Sequence, residues 1–190
     1  MNPHSSSGIV DPAWVTEVLH FWFDEVGKAH WFANSGDVDE QVRARFLSLH
    51  KQLVADQRFG AMAPRQLLAA VIVLDQFSRN LFRGTSRAFA ADAIARRLSR
   101  TAISQRFDVA MKEEERLFLY LPFEHSEYRE DQALSVKLFE RLGNPEWTRF
   151  ALEHKAIIDR FGRHPHRNAM LNRHSSADEV AFLQNPTDWS

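Results

Sequence analysis

The chain has 190 residues, 44% hydrophobic and 12% aromatic, with 24 basic against 25 acidic side chains and no cysteine. That balance removes any global pull toward nucleic acid or an anionic membrane, and the missing cysteine excludes disulfides, thiolate metal sites and a cysteine nucleophile. No apolar run reaches the roughly 18–20 residues a membrane span needs, so the expectation is a cytoplasmic protein without membrane or nucleic-acid partners, large enough to bury a core.

Residues 1–10 lack the basic and apolar regions of a signal peptide and read as a disordered lead. Residues 11–190 read as a single helical domain. Asp11 as cap and Pro12 as first helical residue open a helix over 12–24, with Val15, Val18, Leu19 and Trp22 at helical spacing. Trp31 and Phe32 fall in a connector. Val42, Phe46, Leu49 and Leu53 mark a helix over 38–56, and Pro64 opens another over 64–79. Within it Ala70-Val-Ile-Val-Leu74 resembles a strand, but no turn signal interrupts it, so a buried helix is expected. Gly84-Thr85-Ser86 breaks the pattern and caps a helix over 86–103 carrying Phe89, Ile94 and Leu98.

Glu113, Glu114 and Glu115 suit the first turn of a helix over 113–121, with Pro122 as its stop. Ser126 or Glu127 starts the next, over 127–142, which Gly143 ends. Asn144-Pro145 starts a helix over 145–161 that halts at Gly162, and the Ser176-x-x-Glu179 capping box heads one over 177–183. No alternating strand and no sharp repeat is visible; the tetratricopeptide consensus of about 34 residues is absent. The fold class is therefore all-α, a single domain of roughly seven to nine helices.

Three polar constellations interrupt this pattern. In Leu74-Asp-Gln-Phe-Ser-Arg-Asn-Leu-Phe-Arg-Gly-Thr85, the stripe Leu68, Val71, Ile72 continues onto Asp75, Arg79 and Phe82. Asp75 and Arg79 are thus expected to pair one turn apart, largely buried, with Gln76, Asn80 and Arg83 on a neighbouring face. The block reads either as a charged pocket wall or as an ion pair that fixes helix packing. In the second block Glu124 and His125 adjoin, a carboxylate and imidazole suited to acid–base work, while Ser126 and Glu127 read as helix caps.

The third block is Arg160-Phe-Gly-Arg-His-Pro-His-Arg-Asn168 and its continuation to Ser176. The helix before it carries the stripe Trp147, Phe150, Ala151, His154, Ile157, Ile158 and Phe161, so His154 points inward, either as a satisfied core histidine or as a proton carrier. Pro165 favours extended geometry at His164, which sends His164 and His166 to opposite sides. Spacing gives no support to a metal held by His125, His154 and His166, and no metal ligand or cofactor is assigned.

Together these blocks resemble the bacterial and fungal family known as domain of unknown function 924. The resemblance rests on Phe21-Trp22-Phe23, on Leu74 to Gly84, on Leu121 to Glu127 and on Arg160 to Asn168, and runs from Asp11 to about Leu183. It implies an α-helical fold related to tetratricopeptide-like superhelices, as an array or an irregular bundle, with no established activity. Two positions depart from the pattern. His164 stands where an aromatic is expected, and Asn172 stands where glycine is expected, although Asn tolerates the left-handed turn.

The leading functional expectation is a pocket for a small anionic ligand, with Asp75, Gln76, Arg79, Asn80, Arg83, Arg160, Arg163, Arg167, Asn168 and Arg173 as binding residues. Glu124, His125, His154 and His166 would supply acid–base chemistry. Four arginines between Arg160 and Arg173 need either acids from elsewhere or a bound anion among them, and the helix start at Ser176 offers free N–H groups. The alternatives are a tetratricopeptide-like module binding a peptide or protein and a metal-dependent hydrolase. Convergence of Asp75, Arg79, Glu124, His125, His154 and Arg167 on one cavity favours the pocket.

Overall fold

The computed structural model describes residues 11–33, 35–56, 59 and 62–184. The lead expected over residues 1–10 lies outside them. Helix α1 (Ala13–His20) runs on as a π-helical segment, Phe21–Val26, and α2 is Gly36–Ala55. Helix α3 (Pro64–Ile72), a π turn (Val73–Phe77) and α4 (Ser78–Leu81) form one rod. Then follow α5 (Asp92–Ser104), α6 (Glu113–Glu124), α7 (Arg129–Leu142), α8 (Pro145–Phe161) and α9 (Ala177–Leu183), with 3-10 turns at Ser86–Phe89, Phe107–Ala110 and Pro165–Arg167. Counting the rod once, the described residues hold eight helices and no strand.

Local chemistry explains most of the boundaries. Asn144 accepts hydrogen bonds from the amides of Glu146 and Trp147, with Pro145 first in the helix. Gly143 and Gly162 end α7 and α8 with φ of 82° and 71°, the left-handed region in which a side chain is strained. Asn172 does adopt that region, at φ 52°. Ser176 and Glu179 close a capping box on α9.

Helix α3 and its π turn form the centre, buried from Leu67 to Phe77 without a break. Aromatic rings from the π segment after α1, from α2 and from α6 surround it: Phe21 against Phe46 (5.1 Å between centroids), Trp22 against Phe77 (5.5 Å) and Trp22 against Phe118 (5.4 Å). Their tilted and edge-on geometry is the favoured one for aromatic pairs. Helices α6, α7 and α8 pack in sequence order, whereas α1 packs on α3, and α2 on α4 and the π turn.

The π turn changes which residues face inward. A residue inserted into the helical ladder turns Leu74, Asp75, Gln76 and Phe77 all into the interior. Ser78 Oγ donates to the Leu74 carbonyl (2.6 Å), so the His50 Nε2–H donates in turn to Ser78 (2.7 Å).

Several expected boundaries move. Asp11 does not cap α1; it pairs with Arg65 (2.7 Å), and Pro12 takes the cap position. Phe89 lies in a 3-10 turn, ahead of α5. Pro122 lies inside α6 and does not stop it, because a proline near a helix end removes only one ladder bond. The actual stop is Gln132, whose side-chain amide donates to the carbonyls of Glu124 (2.6 Å) and Ser126 (2.7 Å). Consequently α7 starts at Arg129, and Glu127 is not a cap but the partner of Arg173 (2.7 Å).

Candidate functional site

Two carboxylate–histidine pairs stand at the end of α6. On the π turn, Asp75 is fully buried, and its carboxylate meets His125 Nδ1 at 2.9 Å. One residue before His125, Glu124 turns back to meet His154 Nδ1, from α8, at 2.7 Å. An ionised carboxylate only accepts, so Nδ1 of each imidazole carries the proton and Nε2 is left as a lone pair. The two rings lie 6.5 Å apart, nearly perpendicular.

Behind Asp75 the charges continue. Gln76 donates to its second oxygen (2.6 Å), and Arg79 lies 3.0 Å from the first. Arg79 also reaches both oxygens of Asp92 on α5 (3.1 and 3.3 Å), and Arg167 approaches Asp92 at 3.5 Å. Burial raises the Asp75 pKa, but the charge of Arg79 and the contact with His125 outweigh it and hold the group below the ordinary carboxylate range. For His125 the largest cause is burial, joined by Arg79, and its pKa falls below the usual imidazole value despite Asp75. Burial, with the like charge of Arg79, lowers Arg167 to about 10, still protonated at neutral pH.

His125 and His154 form the polar end of a cavity of about 280 Å³. Its other walls are apolar: Leu117 and Leu121 from α6, Phe139 from α7, Trp147 and Phe150 from α8, and the exposed ring of Phe32 at the mouth. An apolar recess with a few convergent polar groups is the usual form of a small-molecule site.

Of the residues expected from sequence, Asp75, Gln76, Arg79, Glu124, His125, His154 and Arg167 belong to this one connected cluster. Others do not. Asn80 and Arg83 clamp Asp39 at the start of α2 (2.8 and 2.7 Å), tying α4 to α2. Arg160 lies over the Phe161 ring.

The expected anion site at Arg163, Arg167 and Arg173 is not formed. Arg163 holds Glu179 with two bonds (2.6 and 2.8 Å), Arg173 holds Glu127, and Arg167 faces Asp92. Asn168 bonds Ser175 and Arg173. The N-terminus of α9 is occupied by the Glu179 carboxylate, which accepts from the Ser176 amide (2.7 Å). Acids from elsewhere in the chain therefore neutralise the loop.

His164 and His166 do not point apart, as expected, but lie 5.3 Å from each other. Pro165 opens a 3-10 turn, and its curvature brings the two rings to one side. His164 is fully buried beside His154 (5.5 Å), with no hydrogen-bond partner on either ring nitrogen. Burial and then the Arg167 charge hold its pKa far below the ordinary value, and the same two causes lower His166 to about 3. Sequence reasoning missed Asp92, Asp39 and the apolar walls. Nothing local to Asp92 marks it, since its partners are distant in the chain.

The profile of a family described as bacterial protein of unknown function (DUF924) matches residues 18–187. The chain belongs to this family. The match extends over the π segment after α1 and through α9, so both carboxylate–histidine pairs lie within the DUF924 region. A solved structure of a protein of unknown function from Agrobacterium tumefaciens is 34% identical, covers 90% of this chain and 97% of its own, and superimposes with a TM-score of 0.85. No curated protein matches. Among the described residues, no three His, Asp or Glu side chains are grouped to hold a metal ion, and no helix is long and apolar enough to cross a membrane.

Proposed function

We propose that the cavity beside His125 and His154 binds a small, largely apolar molecule, and that the two imidazoles exchange a proton with its polar end. The observation that supports this is the pair of buried carboxylates, each fixing one imidazole through Nδ1 with the two rings on one pocket wall. A carboxylate behind a histidine sets its tautomer and stabilises the imidazolium formed when Nε2 takes a proton.

The charges support an acid–base couple. Asp75 and Glu124 each lie against one imidazole, at 2.9 and 2.7 Å, and Arg79 stands behind Asp75. The two imidazoles therefore stand in different surroundings, which suits them to different roles in moving a proton. Apart from Glu124, which is engaged by His154, the walls hold no hydroxyl, thiol or amine nucleophile. These walls favour proton transfer on a bound small molecule.

The test is a thermal-shift and calorimetric screen of small metabolites with an apolar body and one polar end, run on the parent, His125→Gln and His154→Gln. At least one compound is expected to raise the parent's melting temperature and to bind either variant about tenfold more weakly, a loss of about 1.4 kcal/mol. If every binder is indifferent to both substitutions, the proposal fails.

A further inference from the structure

The screen leaves open which polar end the ligand carries, and the site's charges narrow it. Every arginine of the cluster is already committed: Arg79 to Asp75 and Asp92, Arg167 to Asp92, and Arg173 to Glu127. No guanidinium is among the groups that line the cavity. The polar groups that line the cavity are His125 and His154, whose Nδ1 atoms are already engaged, and Glu124. Neutral imidazoles in that tautomer accept hydrogen bonds; they do not donate them at Nε2.

Resting on the pocket reading above, we infer that the natural ligand is a small organic amine bound as its ammonium. The N–H groups would donate to His125 and His154, and the body would lie against Phe139, Trp147 and Phe150. Three features select this class over a carboxylate. Glu124 from α6 lies on the cavity wall itself, and no arginine or lysine lines the cavity to oppose that carboxylate. The Glu127–Arg173 pair cancels itself, and neutral His164 and His166 add no charge. An ammonium supplies a positive charge beside Glu124. The walls are rich in aromatic rings, whose faces attract cations; exposed Lys28 already holds its ammonium 5.3 Å from the Trp147 ring. A carboxylate would instead face Glu124, a like charge on the cavity wall.

The inference has a distinctive signature. An ammonium donates to the acceptors that line the cavity, whereas a carboxylate has no donor to offer them. Benzylamine, benzyl alcohol and benzoate form a matched set of probes, read by isothermal titration calorimetry on the parent protein. Benzylamine is expected to bind about tenfold or more tighter than benzoate at pH 8, where the amine is protonated. Glu124→Gln is expected to remove most of that preference, and the comparison of the three probes on the parent does not depend on whether this variant folds. Tighter or equal binding of benzoate overturns the amine assignment and leaves the pocket reading in place. Absence of saturable binding by all three probes also overturns the assignment. If the wider screen then yields no binder sensitive to His125 or His154, the pocket reading falls with it.

Discussion

Asp75 and Arg83 lie in one short block of sequence, yet they belong to opposite kinds of structure. Asp75 sits on the π turn with 1% of its side chain exposed, and Arg79 beside it is 21% exposed; their network runs through Asp92 to Arg167 and forward to His125. Arg83 is 43% exposed and makes one clamp on Asp39 at the rim of α2. Both regions are dense in arginine–carboxylate pairs. Residue type therefore does not mark the site; the face of the helix and the presence of a cavity do. The loop after Gly162 repeats the lesson, since Arg167 points inward and Arg163 lies against Glu179 near the surface.

The comparison breaks most directly at Asp75. Replacing it by alanine leaves Arg79 without one of its two partners and His125 without its orienting carboxylate, in a region closed to water. The expected loss is about 3–5 kcal/mol in urea denaturation, the range for one member of a buried pair. A variant as stable as the parent would mean that the interior network is solvated and the contrast false.

The second effect is opposite in sign. His164 buries both ring nitrogens without a partner, which is unfavourable by about 1–3 kcal/mol. His164→Phe is expected to melt at or above the parent and to leave binding at the His125–His154 pocket unchanged. A less stable variant would assign His164 a partner and draw it into the working cluster.

A third effect shows only in acid. The hydrogen bond from Arg163, joined by the Ser176 amide, lowers the Glu179 pKa to about 2. A depressed carboxylate contributes stability that is fully present above its unfolded pKa, near 4.3, and is lost as pH falls through the folded value. The α9 arm should therefore hold at neutral pH and loosen between about pH 4 and pH 2. Arg163→Ala should move that acid transition upward, measured by circular dichroism or hydrogen exchange at α9. An unchanged acid transition would remove the pair from the account.

The smallest effect sharpens the comparison from the outer side. Arg83→Ala breaks a half-exposed pair and is expected to change stability by no more than about 1 kcal/mol, with the pocket unaffected. A loss as large as that of Asp75→Ala would make the rim clamp equal to the interior network.

Sequence by itself determined the helices whose ends are set within one turn. The Asn144-Pro145 start, the Gly143 and Gly162 stops and the Ser176–Glu179 box are contacts between near neighbours, so the residues that make them can be read directly. The inward stripes of α3 and α8 and the pairing of Asp75 with Arg79 were legible for the same reason. Where a distant group competed, the local reading failed. Glu127 left its cap for Arg173, Pro122 yielded to the end-cap from Gln132, and the loop arginines found Glu179 and Asp92 in place of a free anion. Only the tertiary structure joined Asp75 to His125 across 50 positions and Glu124 to His154 across 30. A side chain's partner at that range depends on which helices pack together. That depends on the shape of the whole core, and no local spacing encodes it.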